Sequence, residues 1–150
     1  MYWSNRNSIF LTKAVLLFFV AGYLAVVFTC PLLTEQFVRF SISARGISRW
    51  LFTATIYLAA LPVGLLLWQL WQLLCAIGLE QVFTGDNVRR LRIISWMCFL
   101  VSLIYFLSML YYVFWGILAA CLAFMGLLIR VIKNTFQQAK ELKEEADFTI

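Results

Sequence analysis

Along this chain the charged and apolar positions do not alternate with the period of a soluble helix or strand; they separate into blocks. Residues 14–33 carry no charge over 20 positions, 51–79 none over 29, and 93–129 none over 37. A helix of about 20 mainly apolar residues crosses the ~30 Å hydrocarbon of a bilayer. The first block therefore predicts one crossing and the second one crossing with an overhang. As a single helix the third would reach about 55 Å, nearly twice the hydrocarbon thickness. It predicts either a rod standing far out of the membrane or a helix pair folded back on itself.

The charges between the blocks decide. Basic residues flanking the spans are retained on the cytoplasmic side. With four crossings, Arg6, Lys13, Arg89, Arg90, Arg92, Arg130, Lys133, Lys140 and Lys143 lie inside, against Arg39, Arg45 and Arg49 outside. Three crossings would move the last four of the first set outside and reverse the bias. The expectation is an all-α integral membrane four-helix bundle with both termini cytoplasmic. Its spans are expected at 14–33, 51–72, 93–112 and 115–133, with a cytoplasmic elbow over 80–92 and an amphipathic C-terminal helical tail over 134–150. A short turn near Tyr112 and Gly116 makes the last two spans a tight antiparallel pair. Trp50, Trp68, Trp71, Trp96, Tyr111, Tyr112 and Trp115 fall near the expected span ends, where amphipathic rings are best accommodated.

Composition removes the soluble alternatives. The chain of 150 residues is 64% hydrophobic and 13% charged, with mean hydropathy +0.91, against roughly 45–50% and about 25% for soluble domains. So small a globule has no core large enough to hide that surface. The first helix is expected to stay uncleaved, since its apolar run exceeds a signal-peptide core and Phe28-Thr29-Cys30-Pro31 is a poor processing site. Cys30, Cys75, Cys98 and Cys121 lie far apart with no His in the chain, so no metal site and no cofactor are expected.

The segments between the spans carry the remaining information. Residues 34–49 mix Glu35, Arg39, Arg45 and Arg49 with apolar side chains and read as a piece lying on the membrane surface. In the elbow, Gly85 reads as a positive-φ helix stop and Asp86 or Asn87 as the cap of the next helix. Arg89, Arg90 and Arg92 then crowd a helix start against the macrodipole, which suggests lipid phosphates or carboxylates as partners. In the tail, Ile132, Phe136, Ala139, Leu142 and Ala146 recur at helical steps in one narrow apolar stripe, and a stripe of that kind needs a surface to pack on. If it docks beside the elbow, Glu141, Glu144, Glu145 or Asp147 would approach the arginines.

The elbow and tail also carry a resemblance. Phe83-Thr84-Gly85-Asp86-Asn87-Val88-Arg89-Arg90-Leu91-Arg92 resembles the signature before the third span of a bacterial membrane family catalogued as domain of unknown function 2975. The ending Leu142-Lys143-Glu144-Glu145-Ala146-Asp147-Phe148-Thr149-Ile150 is similar to that family's acidic C-terminal motif, with Phe148 where Leu is common. The resemblance implies a small four-span protein of the bacterial inner membrane, often encoded beside a short helix-turn-helix regulator, and hence a membrane partner of a DNA-binding protein.

Three function classes follow. The first is a non-enzymatic regulatory or scaffold protein whose cytoplasmic face binds a soluble partner through Asp86, Asn87, Arg89, Arg90, Arg92, Phe136, Leu142, Glu144, Glu145 and Asp147. The second is a small oligomeric channel or transporter subunit. Against it, the spans hold no Asp, Glu, Lys, Arg or His, the usual marks of an ion path, and offer only Thr53, Thr55, Gln69, Gln72, Ser95, Ser102 and Ser108. Serines in spans commonly bond their own helix. The third, an enzyme, lacks acid–base and nucleophilic groups at depth. Small residues at i, i+4 (Ala21–Ala25, Ala60–Gly64, Gly116–Ala120, Ala119–Ala123) favour close helix approach, inside the bundle rather than between copies in a homo-oligomer. The basic residues sit at the membrane boundary, where anionic lipid explains them better than direct nucleic-acid binding.

Overall fold

The structure is a computed structural model that describes residues 5–44, 46–79 and 82–149, without the side chains of Asn5, Arg6 and Ser43. Arg45, the first two elbow residues Glu80 and Gln81, and the terminal Ile150 lie outside it. Four helices follow in order: α1 (Asn5–Phe40), α2 (Arg49–Gly78), α3 (Gly85–Ser108) and α4 (Trp115–Phe148), with a single 3-10 turn at Ile42–Ala44 between the first two. All four are long and apolar enough to cross a membrane.

The long third block does fold back. The helix ends at Ser108 and restarts at Trp115, so the turn occupies 109–114, slightly before the expected place. Neither Gly nor Pro marks it. Its anchor is Tyr111, whose hydroxyl donates to the Leu51 carbonyl (3.3 Å) and shares a hydrogen bond with Thr55 (2.8 Å). Thr55 also pairs with the Ser108 hydroxyl at 3.0 Å. The turn is therefore tied to the start of α2 by polar groups that would otherwise be orphaned among apolar neighbours. Around it Phe52, 2% exposed, takes edge contacts from Phe37, Tyr111 and Tyr112. The indole of Trp115 stacks flat on Tyr105 at 4.9 Å.

The segment between the first two helices is shorter than expected. Residues 34–40 form the last turns of α1 and are not a separate segment. Glu35 and Arg39 close an i, i+4 ion pair at 3.1 Å, a spacing that supports a helix. Glu35 also reaches toward Arg49 at 3.9 Å, across to α2. The reversal itself falls on Gly46, at φ +87°, a backbone conformation that glycine adopts without a Cβ penalty.

Among the described residues, the backbones of the four helices approach one another only between chain neighbours: α1 with α2, α2 with α3, and α3 with α4. The helices thus form an open array in which α1 does not close onto α4. Each pairing is antiparallel. Lys13 Nζ lies over Gly78 at one end of the α1–α2 pair, and Thr34 meets Thr53 at the other (2.9 Å). Between α3 and α4, Ser95 Oγ donates to the Gly126 carbonyl (2.9 Å) and Ser102 Oγ to the Ala119 carbonyl (2.7 Å). These two serines bond the neighbouring helix, contrary to the expectation; Ser108 alone of the three also bonds its own helix, at Ile104 (2.9 Å). A Cβ on Gly126 would lie 3.2 Å from the Phe99 ring and 3.3 Å from Cys98 Cβ, so the absent side chain is what admits α3.

The α1–α2 pair uses longer arms. Tyr23 Oη donates to the Ala60 carbonyl (3.0 Å) and Tyr57 Oη to the Val27 carbonyl (3.2 Å). The second bond has a specific cause. Pro31, inside α1, has no N–H to give to Val27 four residues earlier, and the Tyr57 hydroxyl takes that place. The Ala60–Gly64 step and Ala119 thus serve seams within the molecule.

Candidate functional site

The elbow is organised by Thr84 and Asn87, not by Gly85 and Asp86. Thr84 is the N-cap of α3, in extended conformation (φ −114°, ψ 154°), and its hydroxyl accepts from the Asn87 backbone N–H at 3.4 Å. That satisfies one of the free donors of the first turn. Gly85 is the first helical residue, and among the described residues only Gly46 has positive φ. A Cβ at 85 would stand 3.4 Å from Lys140 Nζ, an ordinary contact with the end of a flexible side chain, so the position lies beside α4 but nothing in the structure requires glycine there.

Asn87 is fully buried. Its amide donates to the Val82 carbonyl (2.9 Å), and its Oδ1 accepts from Arg90 Nη1 (3.1 Å). The same Nη1 reaches the Gln72 carbonyl at 3.5 Å. One buried amide thus ties the loop, the first turn of α3 and the end of α2 together. Beside this tie, Gln69 and Gln72 of α2 and Asp86, Arg89, Arg90 and Ile93 of α3 line a hollow of about 300 Å³. Arg89 is exposed and Arg90 half-buried.

Across the other side of the α3 start runs α4. Phe136 packs on Phe83 with ring centroids 5.4 Å apart and joins the core of Leu73, Leu91, Ile94 and Cys98. The apolar stripe of the tail therefore seats only part of its length: Phe136 and Ala139 are half-buried, whereas Ile132 is exposed and every position from 141 to 149 is exposed. A smaller hollow of about 210 Å³ separates Gly85, Val88 and Arg92 from Gln137, Lys140 and Glu141.

The tail carboxylates do not reach the arginines. Among the described residues no carboxylate oxygen comes within 4.0 Å of Arg89, Arg90 or Arg92. Lys140 is the tail residue turned to the elbow, Glu144 pairs with it at 3.4 Å, and Glu141 accepts from Gln137 at 3.2 Å. Glu145 and Asp147 lie on the exposed end, with Leu142 66% and Phe148 92% exposed. The predicted residues thus fall into two groups. Asp86, Asn87, Arg89, Arg90, Arg92 and Phe136 gather at the elbow, while Leu142, Glu144, Glu145 and Asp147 extend past it. Gln72 and Gln69 joined the first group without being predicted there; the signal was their place at the span end nearest the arginines.

A model of the family "Protein of unknown function (DUF2975)" matches residues 44–150. The chain belongs to this family. The match covers α2 to α4 together with both the elbow and the tail, so the DUF2975 region contains all the residues gathered here, and α1 stands wholly before it. No curated protein and no solved structure matches the chain significantly.

Proposed function

We propose that this DUF2975 protein is a non-enzymatic regulatory or scaffold protein of the bacterial inner membrane, with both termini in the cytoplasm. Its elbow and the end of α4 would hold a soluble partner, of the small helix-turn-helix regulator kind that the family resemblance implies. The observation that carries this reading is the state of residues 141–149. They continue α4 as an exposed helix that carries Glu141, Glu144, Glu145 and Asp147 beside uncovered Leu142 and Phe148. Leu142 continues the apolar stripe of the tail and Phe148, six residues on, stands to one side of it, so that apolar anchors sit among charges where a partner surface can reach them. The basic excess at the same end of the helices supports a cytoplasmic placement. The hydroxyls of Thr55, Ser95, Ser102 and Ser108 are engaged in joining helices, which supports a structural role for them.

The test is co-purification in mild detergent with a helix-turn-helix regulator from the same gene neighbourhood. The full chain should retain it, and removal of residues 141–150 should release it while the membrane portion stays folded. Equal retention by the shortened chain, or none by the intact one, overturns the proposal.

A further inference from the structure

We infer that the hollow between α2 and α3 is a binding site for the phosphate of an anionic phospholipid, one whose headgroup also bears hydroxyls. Three observations meet there. The first is charge. Arg89 and Arg90 line the hollow together with the side-chain amides of Gln69 and Gln72, and among the described residues neither arginine has a carboxylate within 4.0 Å. A guanidinium carries five N–H donors in a planar fork suited to phosphate oxygens. The two bonds that hold Arg90 in place both use Nη1, so its remaining donors are oriented without being consumed by them.

The second is depth. Gln69 and Gln72 alternate with Trp68 and Trp71 on α2, in the turns before its end at Gly78, and Trp marks the headgroup level of a bilayer. Phosphates lie at that level. A soluble anion would have no reason to find its site there.

The third is what continues from the hollow toward the middle of the membrane. On α3 the next exposed position in line with Ile93 is Leu100, whereas Trp96 turns toward α4, beneath Arg130 (5.4 Å). On α2 the positions in line with Gln69 and Gln72 are Leu65 and Leu61, also exposed. Residues at these helical steps share one face. The hollow therefore caps an apolar furrow along the seam, with Leu73, Leu91 and Ile94 buried behind it, and acyl chains would follow that furrow. Asp86, also on the hollow, opposes a second phosphate and accepts from hydroxyl donors. This matches a headgroup such as glycerol better than a more highly charged one. The inference does not depend on whether a protein binds the tail.

The full-length protein in detergent, titrated with dioctanoyl phosphatidylglycerol, dioctanoyl phosphatidylcholine or inorganic phosphate and read by native mass spectrometry, tests it. Phosphatidylglycerol should be retained well over phosphatidylcholine. Arg89→Gln removes no internal contact and should weaken that retention about fivefold, the worth of one basic residue at an anionic surface. Arg90→Gln should weaken it at least as much, and Gln69→Leu should weaken it with all charges intact. The pair Arg39→Gln and Arg49→Gln, at the other end of the helices, should leave it unchanged. Equal retention of both lipids, an equal loss in the Arg39/Arg49 control, or no loss in Arg89→Gln overturns the assignment. So does inorganic phosphate displacing the lipid at millimolar concentration, which would make the site one for a free oxyanion.

Discussion

The α1–α2 and α3–α4 seams solve one problem with side chains of different length. Both join helices through hydroxyls that donate to backbone carbonyls of the neighbour. In α3–α4 the donors are Ser95 and Ser102, whose reach is so short that the backbones must nearly touch, and Gly126 permits it. In α1–α2 the donors are Tyr23 and Tyr57, whose phenol rings hold the backbones apart while spanning the gap. Helix association in lipid relies on packing and hydrogen bonds more than on hydrophobicity, because lipid tails are themselves apolar. The short-armed seam therefore gains more from packing, and the long-armed one more from its hydrogen bonds. The family match, which begins at Ala44, takes in the short-armed seam and leaves out α1.

Substitutions can break this contrast in order of size. Gly126→Leu should be the most damaging, costing about 2–3 kcal/mol by overpacking against Phe99 and Cys98; reversible unfolding in mixed detergent and SDS would measure it. Tyr57→Phe should come next, at about 1–2 kcal/mol, because the Val27 carbonyl lost its helical donor to Pro31 and would be left bare. Tyr23→Phe makes the same chemical change but should cost only ~0.6 kcal/mol, since Gly64 still follows Ala60 at the helical spacing. Ser102→Ala should resemble Tyr23→Phe for the same reason, Ala123 being the donor that remains. If the two tyrosine variants unfold alike in SDS, the role given to Pro31 is wrong. The smallest effect belongs to removal of residues 141–150, which should shift the unfolding midpoint hardly at all, because residues 141–149 are all exposed.

Much of the architecture was legible in the sequence because a bilayer imposes a length on every apolar block. Helix number and the fold-back of residues 93–129 follow from that constraint and the distribution of arginines. The local expectations failed where two residue types offer the same service. Thr84, Gly85, Asp86 and Asn87 are all plausible at a helix boundary, and only the bond accepted by the Thr84 hydroxyl and the burial of Asn87 assign their parts. The surface segment expected at 34–49 failed similarly, since its mixed composition suits a helix end stabilised by Glu35 and Arg39 as well as a loop. The serines of α3 were misread for want of a distance: the sequence cannot tell whether a hydroxyl turns to its own helix or to the next until Gly126 is known to stand opposite.

One property of α4 bears on how the molecule could communicate across its length. The helix runs from Trp115 to Phe148 without a proline or a break. The part beyond Arg130 is about 27 Å long at 1.5 Å per residue. A stiff shaft of that length is a lever: a tilt of about 10° at the membrane surface would sweep its tip through roughly 5 Å. Small shifts of the serine-held pair would thus be magnified at the far end of α4, where Phe148 stands 92% exposed.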